Sequence, residues 1–306
     1  MMQALGRALA SVTLVALVAP TGLGSPQRAL APVQVAASVQ TSAQENQPAD
    51  PAPFAERALA VDRMLAETIG IRPAGSDAER RAAAYLSDEL SGMGYAVDVA
   101  PFPFSARGNS GTSQNVVAMR PDEDPTRPLV IVGAHYDSVP QGPGANDNGS
   151  GTSTMIEVAR ELSWNPVPGV DVRYVAFGAE EIGLLGSADY VRRLSATDRD
   201  RLKVMMSLDM LSVGDNPAFA GTEPWVSLAM TYAASQGYEP LDLTRPLRGL
   251  SDHASFINAG LPAVMFYWSD DPEYHTIFDV WQRVQPWSMD LMGSIAIQLV
   301  RHATSS

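Results

Sequence analysis

At 306 residues and 45% apolar composition, the chain is long enough to bury one large core or two modest ones. With no cysteine it can form no disulfide, thiolate metal site or cysteine nucleophile. A formal charge of −13 argues against a nucleic-acid partner, which needs clustered Lys and Arg, and suits a soluble protein whose field draws in ammonium groups.

Arg7 precedes the apolar run Ala8–Ala19, and Pro20-Thr21-Gly22-Leu23-Gly24 follows. The run is shorter than the ~20 residues that cross a bilayer. We therefore expect a signal peptide over 1–24 and no stable membrane insertion, with cleavage after Ala31 or Ala37 as alternatives. Residues 25–53, rich in Ala, Gln, Pro and Ser without an apolar period, read as a disordered linker or pro-segment. Residues 54–306 show no comparable stretch and no internal repeat, and read as a single domain.

Phe54–Ile69 has helical apolar spacing ended by Gly70. Ser76-Asp77-Ala78-Glu79 is a capping box that opens a second helix, running to Gly92. Tyr95–Phe102 and Gln114–Met119 read as strands, and Leu129–Ala134 as a strand buried on both faces. Then follow helix Thr152–Leu162, strand Val170–Phe177, helix Leu184–Leu194, strand Lys203–Leu208, strand Pro262–Trp268 and helix Trp287–His302. Helices alternating with buried strands predict an α/β, three-layer sandwich, its central twisted sheet mostly parallel or mixed and flanked by helices. Ligands in such sheets bind beyond the carboxyl ends of the strands.

The informative polar residues fall at those ends. The strand at Leu129 runs into His135-Tyr136-Asp137, and Asp147-Asn148-Gly149-Ser150-Gly151 precedes the next helix. The strand at Val170 leads to Glu180-Glu181, the strand at Lys203 to Asp209, and Tyr274-His275 lies downstream. Two imidazoles and three carboxylates are too many donors for one catalytic zinc and suit two ions sharing a bridging carboxylate. Adjacent Glu180 and Glu181 cannot point the same way from an extended chain, so one can ligate while the other serves as a general base. Asp137, on the same side of the strand as His135, can hold the other imidazole nitrogen; Asp279 can do so for His275 if that segment turns helically. The glycines of 142–151 lack the lysine of a P-loop and the spacing of a dinucleotide fingerprint.

Together, Ile71-Arg72-Pro73-Ala74-Gly75-Ser76, His135-Tyr136-Asp137, Asp147 to Gly151, Glu180-Glu181-Ile182-Gly183, Asp209-Met210, Ser251-Asp252-His253 and Tyr274-His275-Thr276 resemble the co-catalytic di-zinc exopeptidases. That family includes secreted bacterial leucyl aminopeptidases, with glutamate carboxypeptidase II and glutaminyl cyclase as relatives. The resemblance extends over nearly all of the chain after Phe54 and implies a fold of zinc-exopeptidase type. It further implies two Zn2+ ions, one bound by His135 and Asp209, the other by Glu181 and His275, with Asp147 bridging. Glu180 would take a proton from the attacking water and pass it to the leaving amine; Tyr274 would help stabilise the oxyanion. In that family the bond after the bridging aspartate is often cis, here Asp147–Asn148. His253 is expected to shape the substrate pocket or cap a helix, and His302 to be solvated.

The implied reaction is aminopeptidase action on peptides with a free N-terminus, by an exported, periplasmic or secreted monomer in the compact, lid-free form. The alternatives are a carboxypeptidase, dipeptidase or aminoacylase-type hydrolase on the same site, and a non-catalytic binding module. Aminoacylase-type relatives place the bridging aspartate farther from the first histidine, and glutaminyl cyclases lack that histidine.

Overall fold

Ser76 begins the best-defined helix because its hydroxyl accepts the Glu79 N–H at 3.0 Å, while the Glu79 carboxylate reaches back to the Gly75 N–H at 2.6 Å. That helix, α2 (Asp77–Gly92), follows α1 (Phe54–Arg63) and a π-helical turn, Met64–Ile69, that ends at Gly70 with φ 80°. The structure is a computed structural model and describes residues 52–106 and 108–304, which belong to a compact unit running from Asp50. The expected signal peptide and nearly all of the expected linker lie outside the described residues.

Eight strands form one mixed sheet: β1 (Ala96–Ala106), β2 (Asn109–Met119), β3 (Leu129–His135), β4 (Asp171–Phe177), β5 (Leu202–Leu208), β6 (Pro217–Gly221), β7 (Leu241–Asp242) and β8 (Ala263–Trp268), in spatial order β1-β2-β4-β3-β5-β8-β6-β7. The four central strands are parallel, and the outer strands β1, β2 and β6 run antiparallel to their inner neighbours. Every residue of β3 is buried, as its unbroken apolar run predicts. Its side chains alternate: Val130, Val132 and Ala134 join one core with Met155, Leu162 and Leu299, while Leu129 and Ile131 join the other with Phe177 and Phe256.

Helices α1, α2, α3 (Gly151–Trp164), α6 (Trp225–Ser235) and α8 (Pro286–His302) contribute to the first core; α4 (Leu185–Arg193) and α7 (His253–Asn258) contribute to the second. The short α5 (Ala196–Arg201) leads directly into β5. The expected elements are present with ends shifted by a few residues, and α5, α6, α7, β6 and β7 are additions to them.

Candidate metal centre

Three adjacent parallel strands, β4-β3-β5, end at the same edge of the sheet. That edge receives His135 from the last position of β3, Glu180 and Glu181 just beyond β4, and Asp209 just beyond β5. The Asp209 N–H is tied to the Phe266 carbonyl at 3.0 Å. Asp147 arrives from the β3–α3 loop, which Gly144 (φ 62°) lets turn back on itself. His275 comes from the loop after β8.

Side chains beneath the β3–α3 loop fix it. Asn148 donates to the Leu208 carbonyl at 2.9 Å and accepts from Gly151 N–H at 2.9 Å and Met210 N–H at 3.2 Å. A Cβ at Gly151 would overlap the Leu208 carbonyl oxygen, so the close approach of α3 to β5 requires glycine there. The Asp147–Asn148 peptide bond is cis, as in many members of the resembled family. Ala179, Met210 and His275 occupy the left-handed region (φ 55°, 53° and 58°), each at or next to a donor residue. Such residues cost about 1–3 kcal/mol each and persist where their surroundings over-determine them.

The donor atoms converge on two points. His135 Nε2 lies 3.3 Å from Asp147 Oδ1 and 3.4 Å from Asp209 Oδ1; His275 Nε2 lies 3.1 Å from Asp147 Oδ2 and 3.1 Å from Glu181 Oε2. Asp147 thus divides its two oxygens between the two imidazoles. Donors bound at 2.0–2.1 Å to one tetrahedral zinc stand about 3.3 Å apart, so each separation is close to the edge of such a tetrahedron. Neither ring nitrogen of buried His135 has a well-formed hydrogen bond, nor does Asp209 Oδ1. The donors of His135, Glu180 and Asp209 also lie within 4.8 Å of one another, so the Glu180 carboxylate faces the same space.

Burial pushes the Glu180 carboxyl well above the carboxylate range, with the charges of Asp252, Asp209 and Glu181 adding and His135 opposing. Burial likewise lifts Glu181 and Asp252 to about 7. For Asp147, burial acts upward but the imidazoles of His135 and His275 against its two oxygens outweigh it and bring the carboxyl to about 2. Hydrogen bonds to Asp147 and Glu181 raise His275 to about 10. His135 is also driven up, because the charges of Glu180 and Asp209 overcome a burial effect of opposite sign. A site whose acids force protons onto its imidazoles is one whose field holds cations. Nitrogen and oxygen donors without sulfur, arranged around a shared carboxylate, fit two zinc ions.

Asp137 stands 3.6 Å from His135 Nδ1, where the sequence puts it, and it also accepts the backbone N–H groups of Glu180 (3.0 Å) and Glu181 (3.3 Å). Asp279 does not turn toward His275. The segment forms no helix, and the Asp279 carboxylate accepts the N–H groups of Asn146 at 2.5 Å and Asp147 at 3.0 Å, supporting the Asp147 backbone instead. Tyr274 is half exposed and stacked on His275, ring centroids 3.8 Å apart. His253 opens α7 without capping it and lines a separate cavity. His302, expected in solvent, is half-buried edge-on against Trp225.

Three buried residues, Arg72, Asp62 and Asp252, escape sequence reasoning. Arg72 is fully buried and donates to the carbonyls of Tyr136 (2.6 Å), Gly144 (2.8 Å) and Pro143, the flanks of the β3–α3 loop. Asp62 and Asp279 feel its charge. Asp252 lies buried within the field of Glu180 and His135. Arg72 belongs to a segment that carries the family resemblance, which was the available signal; nothing in the sequence marks Asp62. Above the donors, a cavity of about 170 Å³ is walled by Met210, Leu247, Leu250, Met265, Tyr267 and Tyr274.

Fold and donor set together define an α/β sandwich of zinc-exopeptidase type with a place for two divalent ions. The chain belongs to peptidase family M28, whose profile matches residues 115–300. It is 38% identical over 207 residues to aminopeptidase YwaD of Bacillus subtilis, covering 63% of this chain and 45% of that protein. The chain thus spans less than half the length of this curated relative. Its fold matches BSAP, a zinc aminopeptidase from Bacillus subtilis, with TM-score 0.74 and 24% identity over 82% of this chain and 95% of BSAP. It also matches the glutaminyl cyclase of Porphyromonas gingivalis, with TM-score 0.71 and 23% identity over 81% and 98% of the respective chains.

Proposed function

We propose that this protein is a zinc-dependent aminopeptidase that removes N-terminal residues from peptides. The observation that carries the reading is the division of the Asp147 oxygens between His135/Asp209 and His275/Glu181. In this reading His135 and Asp209 would hold one zinc ion and Glu181 and His275 the other, with Asp147 shared between them. Bound ions would acidify a water molecule and polarise the scissile carbonyl.

The protein's own groups do the rest. Glu180, facing the same space as the donors, accepts a proton from the attacking water and delivers it to the leaving amine. The Tyr274 hydroxyl donates toward the oxygen that gains charge in the tetrahedral state. Asp137 orients His135 while anchoring the backbone of both glutamates, and Asp279 holds the Asp147 backbone. The carboxylate-rich floor attracts a substrate ammonium group, and the apolar walls at Leu247, Leu250 and Met265 receive the terminal side chain. Aminopeptidase action also agrees with the 38% identity over 207 residues to aminopeptidase YwaD. Among the described residues, no helix is long and apolar enough to cross a membrane. With residues 1–24 as a signal peptide, 25–53 as a linker or pro-segment and 54–306 as the catalytic domain, the enzyme acts as a monomer in the periplasm or outside the cell.

The test is mass spectrometry on a panel of free, N-acetylated and C-amidated peptides. Stepwise loss from free N-termini, abolished by chelator and restored by zinc, is expected; trimming from the C-terminus would refute the aminopeptidase reading. Glu180→Gln should keep both zinc ions and lower kcat by about 10²–10⁴-fold. His135→Ala should lose one ion by elemental analysis, and undiminished zinc would remove His135 from the ligand set.

A further inference from the structure

A second cavity, of about 270 Å³, shares the 245–250 segment with the cavity above the donor side chains. Arg245 and Arg248 line it, together with His253 and the end of β6 at Gly221 and Thr222. No carboxylate side chain lines it. Asp242 feels the charge of Arg245, but neither arginine forms an ion pair among the described residues. Both arginines are exposed to solvent and bring two guanidinium groups to one cavity of a chain whose net charge is −13. His253 makes the site more than a surface patch. It is 1% exposed, and neither ring nitrogen has a well-formed hydrogen bond, although the ring faces the Leu247 carbonyl. A buried donor without a full partner costs about 1–3 kcal/mol unless something reaches it.

Guanidinium forks match the planar geometry of carboxylates and the oxygens of tetrahedral anions. We propose that this cavity is an oxyanion-binding subsite, taking a carboxylate or an inorganic oxyanion such as sulfate, and that its occupant orders the loop carrying Arg245 and Arg248. That loop is shared: Leu247 and Leu250 wall the cavity above the donors while Arg245 and Arg248 line the second one. An anion on one side therefore fixes the apolar wall on the other. The loop-ordering step rests on the peptidase reading; the binding site itself does not.

Calorimetric titration of the zinc-loaded protein with sodium sulfate at constant ionic strength tests the site without any turnover. Saturable binding is expected, weakened about tenfold or more in Arg245→Gln/Arg248→Gln, the scale of a lost charge-assisted hydrogen bond. Arg248→Lys, which keeps the charge but loses the fork, should fall between them. No saturable binding in the parent protein, or binding undiminished in the double variant, overturns the proposal; the latter would place the sulfate elsewhere. KM for Leu-Gly-Gly and its C-terminal amide then distinguishes the sources. A lower KM for the free acid, lost in the double variant, identifies the peptide's own carboxylate as occupant. Equal KM values that sulfate lowers together identify a free anion. KM values indifferent to both would overturn the loop-ordering step. An inactive enzyme that still binds sulfate through these arginines would sink the peptidase reading and leave the site standing.

Discussion

Replacing Arg72 by Met should destabilise the protein by at least about 3 kcal/mol and weaken zinc binding, because its guanidinium binds the β3–α3 loop from below. Met keeps much of the apolar stem, so the dominant loss is polar. The carbonyls of Tyr136 and Pro143 lose the guanidinium, whereas the Gly144 carbonyl keeps the Gly149 N–H at 3.0 Å. Two buried carbonyls left short of a donor cost roughly 2–6 kcal/mol together. Asp62 and Asp279 also lose the positive charge they feel, and removing one partner of a buried charged group costs about 3–5 kcal/mol when nothing replaces it. Asp62 can avoid part of that by holding its proton, since burial already pushes its carboxyl well above the usual range. Urea unfolding at pH 7 measures the loss, and elemental analysis measures zinc per chain. Arg72→Lys should recover less than half, because an ammonium group cannot span three carbonyls. A loss below about 1 kcal/mol for Arg72→Met with undiminished zinc would refute this account.

Burial raises Glu79 to about 7 from an ordinary value near 4.5, so the folded state binds its proton more tightly than the unfolded chain. Its contribution is therefore fully present below pH 4.5 and lost as pH rises through 7, by about 3 kcal/mol at most. Glu79→Gln should accordingly gain stability relative to the parent between pH 5 and pH 8 in urea titrations; a parallel pH dependence would contradict the assignment. Asp279→Asn removes an acceptor from the Asn146 and Asp147 N–H groups and should weaken zinc about 10–100-fold in competitive chelator titrations, with little effect if Asp279 is only a turn residue. Gly151→Ala should cost about 1–3 kcal/mol, because the new methyl overlaps the Leu208 carbonyl; an unshifted melting curve would show that α3 can move away. Removing zinc with chelator should lower Tm by about 10 °C at a metal concentration ~1,000 times Kd, read by differential scanning calorimetry.

Local rules account for much of the chain. The capping box at Ser76 begins α2, and the unbroken apolar run of β3 gives a strand buried on both faces. The same patterning puts His135, Glu180, Glu181 and Asp209 at strand ends, where the sheet brings them together. The region between Asp209 and Pro262 was not legible. Strands of five and two residues and a six-residue helix are too short to show a period, and half-buried Leu228, Met230 and Tyr232 blur the stripe of α6.

Residue type and order determined the donor inventory and the fold class, because strand and helix periods are properties of neighbouring residues. Only the tertiary structure decided how the donors divide. Which oxygen of Asp147 faces which imidazole, the turning of Asp279 to the Asp147 backbone, and the burial of Arg72 under the loop all depend on segments distant in sequence. Such contacts are set by close packing of the whole domain, which no local pattern encodes.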